Sequence, residues 1–419
     1  YLINVLNPKN ISLSILVFPF IYSFLFHLGL YNFCLSFIFL FTTIAYFIQS
    51  INSTNPFKYP ILFLLILISY FTNPVIFCFS GLTMGLYIIY FSSVKYADGK
   101  DTVSTLKYLA GKLFILLILS TPGILFMILF YANVQFHPAG DSYSAGVLIK
   151  WINDARPFIV FNYTGEEIIT EQFFHILLVL LALSFILKNR DTQNRRNLEK
   201  INILAIPLLL SIFLYFITPN GSGAGMMSDR FGLILYFFGL IWIVSRSVNI
   251  KFNHVIIFLV LILHFGLHFK HLAGSLGKLD ANAISINEAG KSISENSIVL
   301  PVNLSDHWLE LHFSNYSGTD KPIIILENYE AGTGWFPVRW NSTNFPNIRL
   351  NDKDSISGLQ WMNNRKSGSV KQIDYILVYG NPAKLDHPEW SELKEVLSAG
   401  FTLKYRAEND YVLLYKRSY

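Results

Sequence analysis

The chain has 419 residues, of which 53% are hydrophobic, 16% aromatic and only 14% charged, which is too apolar for an ordinary soluble protein. The net charge of +5 is unevenly spread: residues 1–270 hold 17 Lys/Arg against 10 Asp/Glu, and residues 271–419 hold 15 against 17. The basic excess therefore belongs to the apolar two-thirds, where it orients membrane helices, and it gives no reason to expect nucleic acid as a partner.

In chain order, the first apolar runs are Ile11–Leu28, Tyr31–Gln49, Phe57–Thr72 and Pro74–Ser93. They continue with Leu106–Tyr131, Phe173–Leu187, Ile201–Ile217, Phe231–Val244 and Val255–Phe269. Each approaches the roughly 20 residues that cross a hydrocarbon core. The prediction is an α-helical polytopic membrane domain of about nine transmembrane helices over residues 1–270. Cys34 and Cys78 both fall inside apolar runs and read as small buried hydrophobes. Residues 271–419 contain no cysteine, so no disulfide framework is available there.

Alternating nine spans sorts the connecting segments into two sets. One carries Lys9, Lys58, Lys95, Lys100, Lys107, Lys188, Arg190, Arg195, Arg196, Lys200, Arg246 and Lys251; the other carries only Lys150, Arg156 and Arg230. By the positive-inside rule the first set, with the N-terminal end, is cytoplasmic, and the C-terminal domain is extracytoplasmic. A chain that begins at Tyr1 on the inner side is expected to be a fragment or to have been trimmed.

Residues 271–419 read as a small extracytoplasmic α/β domain. A helix near Asn282–Ser294 is followed by strands at Ser297–Val302, Pro322–Asn328 and Asp374–Asn381, then a helix near Pro388–Ala399. The end reads as a hairpin turning at Asn409–Asp410. With no phosphate-binding glycine fingerprint or metal-ligand cluster, this domain is expected to bind or support.

Three external connections carry the candidate chemistry. The stretch Thr218–Asp229 is glycine-rich and leads directly into a helix that begins at Arg230. Ser228 or Asp229 can cap that helix, and a guanidinium at a helix N-terminus suits a phosphate; the plainer reading is an arginine snorkelling to the interface and paired with Asp229. His27 and Asn32 bracket the first external turn and either line an outward cavity or bond to backbone. The long stretch Ala132–Gln172 holds His137, Asp141, Asp154, Arg156, Glu166, Glu167 and Glu171. Long connections of this kind carry function more often than short ones. A carboxylate or histidine there can act as general base or hold a divalent metal, and each is equally compatible with a solvated loop surface. His264, His268 and His271 share a helix face at metal-ligand spacing or, more plainly, form an amphipathic interface.

The segments FPFIYSFLFHLGLYNFCLSFIFLF, GSGAGMMSDRFGLILYF and NYEAGTGWFPVRW resemble bacterial GT-C class polytopic glycosyltransferases. The resemblance implies a bacterial inner-membrane enzyme that moves a sugar from a polyprenyl-phosphate carrier to a lipid, glycan or protein acceptor. It implies donor and acceptor binding by Arg230, Asp229, His27, Asn32 and His137, with Asp141 or Glu166 as the carboxylate on the acceptor hydroxyl. The family's catalytic acid usually follows the first membrane helix, yet the turn Gly29–Tyr31 carries none, so the main acid is expected upstream of Tyr1. Alternatives from other classes are a flippase for lipid-linked glycans, a polysaccharide polymerase or ligase relying on Arg156 or His137, and a non-enzymatic assembly protein. The last would use Trp335, Phe336, Arg339 and Trp340 as its recognition surface.

Overall fold

The computed structural model describes residues 1–97, 101–133, 142–186, 203–222, 225–245, 250–328, 348–349, 360–361 and 372–418. They form two compact units, Tyr1–Phe269 and Lys270–Tyr419.

The first unit is helical. It contains α1 (Leu2–Leu6), α2 (Phe24–His27), α3 (Tyr31–Ser50), α4 (Lys58–Thr72), α5 (Pro74–Ala97) and α6 (Thr102–Asn133). After these come α7 (Ala145–Asn153), α8 (Tyr163–Ile186), α9 (Ala205–Ile217), α10 (Met227–Ser245) and α11 (Ile250–His271). A helix satisfies its own backbone groups, which is what an apolar surrounding demands. Hydroxyls inside these helices follow the same logic by bonding back to their own turns, as Thr83 does to the Phe79 carbonyl at 2.8 Å and Ser92 to the Ile88 carbonyl at 2.7 Å.

Among the described residues, five helices are long and apolar enough to cross a membrane: Tyr31–Ser50, Pro74–Ala97, Thr102–Ala132, Met227–Ser245 and His254–Lys291. Lys58–Thr72 and Ala205–Ile217 are apolar but shorter. The expectation of nine spans is thus met only in part. The run Ile11–Leu28 is the clearest departure, because it forms a 3-10 stretch, Pro8–Tyr22, followed by the single turn α2. Pro19 lies inside the stretch and Asn10 leaves helical dihedrals, and a proline removes the donor that a regular ladder needs. The Asn7 and Asn10 side-chain amides donate instead to the Ser245 and Val244 carbonyls, at 3.2 and 2.6 Å, fastening the stretch to the end of α10. The described part of Phe173–Leu187, as far as Ile186, falls within α8, whose first turns carry Glu166, Glu167 and Glu171.

Helix α10 is the interior element, with 83% of its apolar window buried, whereas α6 has only 17% buried. Phe237 and Phe238 of α10 meet Phe37 and Phe41 of α3 and Phe79 of α5, with ring centroids 4.6 to 5.7 Å apart. His264 and His268 of α11 pack edge to face at 4.5 Å, and they meet Phe18 and Tyr22. No group of three His, Cys, Asp or Glu side chains placed to hold a metal occurs among the described residues.

The second unit is α/β. Its strands are β1 (Ile298–Leu304), β2 (Ile324–Ile325), β3 (Ile348–Arg349), β4 (Gln360–Trp361), β5 (Tyr375–Gly380), β6 (Phe401–Arg406) and β7 (Val412–Arg417). Its helices include α12 (Gly277–Lys291) and α13 (Ser391–Gly400). The main sheet has the order β2-β1-β5-β7-β6, while β3 and β4 pair separately. Strand β1 runs parallel to β2 and β5, and β7 runs antiparallel to β5 and β6. Alternate residues serve opposite faces. Leu300, Val302, Ile376 and Val378 pack with Trp390, Leu393 and Leu397 on one side. Val299, Leu377, Val412 and Leu414 pack with Ile286 and Ala289 of α12 on the other. Gly380 closes β5 at φ +109, where an added Cβ would lie 2.2 Å from the Ser305 backbone nitrogen, so only glycine fits. Residues 334–340, which hold the GWFPVRW segment, lie outside the described residues.

Candidate functional site

The connection between α7 and α8 turns back into the helical layer. Ser144 caps α7 by accepting from the Val147 N–H, and the chain leaves the helix through Ala155, which holds a left-handed φ of 49. That conformation is costly for a residue with a Cβ and marks a position fixed by its surroundings. A short 3-10 turn, Arg156–Phe158, follows. Phe158 packs between Phe20 and Phe173, with centroids at 4.5 and 4.7 Å, so the turn is anchored in aromatic core. Three hydroxyls hold this segment from neighbouring helices. Tyr215 of α9 donates to the Leu148 carbonyl at 2.9 Å, and Tyr236 of α10 and Thr170 of α8 donate to the carbonyls of Ile152 and Asp154.

The result is a narrow cleft lined by Trp151, Arg156, Tyr215, Asp229, Gly232 and Tyr236 among others. Gly232 admits the Tyr215 ring, whose edge lies 3.3 Å from where a Cβ would stand. The Arg156 Nε lies 3.5 Å from Asp229 Oδ1, and both side chains are largely buried. Neither atom has a hydrogen-bond partner among the described residues. The two therefore meet as charges with unsatisfied polar valence, an arrangement that calls for an explanation in a buried setting. The Arg156 guanidinium is otherwise fixed by donation to the Ile159 carbonyl at 2.8 Å and by the Phe24 ring, 4.0 Å away.

Arg230 stands elsewhere. Only 3% exposed, it donates from Nε to the Gly225 carbonyl at 2.9 Å and lies 4.9 Å from the Phe33 ring centroid. It ties the end of the glycine-rich loop to α10, and Arg156 is the guanidinium that lines the cleft. Nor do Ser228 and Asp229 cap α10: Asn220 does, accepting from the Ser228 N–H at 3.1 Å.

The remaining candidates separate in the same way. Both carboxylate oxygens of Glu166 accept backbone N–H groups, those of Val160, Phe161 and Asn162 at 2.7 to 3.0 Å, and fasten the entry to α8. Asp154 accepts from Lys150 and from the Tyr163 hydroxyl. Burial alone would raise its carboxyl, but the hydrogen bonds from Lys150, Tyr163 and Asn153 hold it below the usual carboxylate range. Glu171 accepts from the Asn153 amide at 3.0 Å. His27 lies against Phe161 at 5.6 Å, so the first turn does meet this connection, whereas exposed Asn32, in the first turn of α3, accepts from the Phe33 N–H at 2.8 Å. His137 and Asp141 lie outside the described residues.

The sequence points to Arg156, Asp154 and Asp229 but not to Tyr163, Tyr215 or Tyr236. Tyrosines inside apolar runs gave no local signal; only the long-range contacts identify them. Comparison with known proteins finds no matching family model, no matching curated relative and no matching solved structure.

Chemically, the cleft presents one cation, one carboxylate and aromatic walls at the mouth of a helix. Its enclosed free space, about 10 Å³, is room for about one water molecule.

Proposed function

We propose that the protein is an integral membrane glycosyltransferase that takes a sugar from a polyprenyl-phosphate carrier. The acceptor would be a hydroxyl of a lipid, glycan or protein on the extracytoplasmic side of a bacterial inner membrane. The observation that carries the reading is the Arg156–Asp229 pair with unsatisfied atoms in an aromatic-walled cleft. The lysine-rich and lysine-poor sets of connections support the sidedness.

In this reading Arg156 binds the phosphate and stabilises the charge that grows on it as the bond from the sugar C1 to the phosphate oxygen breaks. Asp229 takes the proton from the acceptor hydroxyl as its oxygen forms the new bond to C1, and polyprenyl phosphate leaves. Arg230 acts as a positioning residue through the glycine-rich loop. The Trp151, Tyr215 and Tyr236 rings offer the faces on which a sugar ring stacks. Arg156 in the cleft also serves a second reading, a polymerase or ligase for lipid-linked glycans, which differs in taking an oligosaccharide.

The test is donor cleavage in proteoliposomes holding a radiolabelled polyprenyl-phosphate hexose and a mixed acceptor extract. Arg156→Ala is expected to lower turnover at least 100-fold, with partial recovery in Arg156→Lys. Full turnover in Arg156→Ala would sink the reading, and activity confined to oligosaccharide donors would select the ligase.

A further inference from the structure

Asp154 follows the last residue of α7 and is buried, with Ala155 and Arg156 next in the chain. Ala155 is also buried, and it stands at φ 49 and ψ 53, a left-handed conformation that a residue with a Cβ keeps only when its neighbours over-determine it. We propose that Asp154 is a positioning residue: its carboxylate and its carbonyl lock the Ala155 step and thereby aim the Arg156 guanidinium at Asp229. The aiming is a property of the fold, and only its catalytic consequence rests on the glycosyltransferase reading.

The chain is held on both sides of the step. Upstream, Asp154 Oδ2 accepts from the Lys150 ammonium of α7 and from the Tyr163 hydroxyl at the start of α8, and the Lys150 ammonium also donates to the Tyr163 oxygen at 3.3 Å. The carboxylate thus bridges the two helices that the connection joins. Asp154 Oδ1 accepts from the Asn153 amide at 3.4 Å, and the same amide donates to Glu171 of α8 at 3.0 Å. The buried Thr170 hydroxyl, also from α8, donates to the Asp154 carbonyl, which belongs to the peptide that joins Asp154 to Ala155. Downstream, the Phe158 N–H donates to the Ala155 carbonyl at 3.0 Å, and the Phe158 ring sits between Phe20 and Phe173.

With Asp154 fixed on one side and Phe158 on the other, the dihedrals of Ala155 decide where Arg156 points. Relaxation of Ala155 to right-handed dihedrals would continue α7 and carry Arg156 out of the 3-10 turn that sets its Nε 3.5 Å from Asp229 Oδ1. The bonds that prevent this are charge-assisted, because an ionised carboxylate accepts from an ammonium and a phenol, and such bonds are roughly twice as strong as neutral ones. Asparagine at position 154 keeps the shape and gives up the charge. Thr170 acts on the same peptide without touching Arg156 or Asp229, so it offers an independent handle on the step.

The interaction between Arg156 and Asp229 is read from a double-mutant cycle of Arg156→Ala and Asp229→Ala, by chemical unfolding of the full chain in mixed micelles. With Asp154 present, a coupling of about tenfold or more in the unfolding constant is expected. In the Asp154→Asn background it should fall to about twofold or less. An Asp154 that only stabilises the fold would shift all four corners of the cycle equally and leave the coupling intact. That result overturns the proposal, as does an absence of coupling with Asp154 present. Should Asp154→Asn fail to fold, Thr170→Val is expected to lower the coupling several-fold and Thr170→Ser to keep it, and equal coupling in the two overturns the proposal. In donor cleavage, Asp154→Asn is expected to lower kcat about tenfold while KM changes by less than about threefold. Reduced kcat with the coupling intact overturns the aiming. Lost coupling in a protein whose wild type cleaves no polyprenyl-phosphate donor ends the transferase reading and supports the aiming.

Discussion

The two ends of the helical unit handle charge in opposite ways. At the cleft end, cations meet carboxylates: Arg156 faces Asp229, and Lys150 binds Asp154. At the other end, Lys58 and Lys112 rest on the carbonyls of Ser53 and Ile51, and Lys95 sits over Tyr108. The first arrangement pairs each cation with a largely buried carboxylate, so it is expected to be sensitive to loss of either partner. The second holds its ammonium groups on carbonyls and a ring, contacts that are individually modest. Composition alone makes both ends look alike, as polar residues at the tips of apolar helices. The difference lies in whether the fold brings a carboxylate to the cation.

The largest effect that could break this comparison is removal of Asp229. Asp229→Ala is expected to destabilise the protein by about 3–5 kcal/mol in thermal or denaturant unfolding, because it leaves Arg156 buried without its counter-charge. Adding Arg156→Ala to it should recover part of the loss, and a double variant as unstable as the sum of the singles would show that the pair is not coupled. Next in size is Tyr215→Phe. It strips the Leu148 carbonyl of its donor and should cost about 1–3 kcal/mol, the penalty for an unsatisfied buried acceptor.

The pH response sharpens the same contrast. Asp154 is held below its ordinary carboxyl range by its donors, so its stabilising contribution is complete above the unfolded-state pKa and lost as pH falls through the lower folded value. Unfolding followed from neutral to acid pH should steepen in that window, and Asp154→Asn should flatten the limb. At the opposite end, Lys58→Gln in lipid-free detergent is expected to change stability by no more than about 1 kcal/mol, since only one hydrogen bond to a carbonyl is lost. A loss as large as that of Asp229→Ala would erase the distinction between the two ends.

Much of the second unit was legible in the sequence because strands and helices announce themselves locally. The alternation in DYILVYGN gave β5, and the Asn409–Asp410 turn gave the hairpin, with Asp410 at a left-handed φ of 54. The parallel pairing of β1 with β5, across some 70 intervening residues, carried no local signal. In the first unit hydropathy found the apolar helices, but apolar length is blind to Pro19 and to Asn7 and Asn10, which fasten the 3-10 stretch to α10. At the site, the motif around Arg230 drew attention to the helix that carries Asp229, while the guanidinium in the cleft lining, Arg156, comes from another element. A helix N-terminus can be read from the sequence, but the direction in which a neighbouring side chain points is set by packing.

What the sequence by itself determined is the broad class: a chain rich in apolar helices followed by a small α/β unit, because burial preference and backbone hydrogen bonding act over short windows of residues. Only the tertiary structure decided that Arg156 meets Asp229, that Tyr215 and Tyr236 hold α7, and that Lys95 and Lys112 share one ring. Those pairings join residues tens of positions apart, and their energies arise only once packing has removed water and fixed the distances between charges.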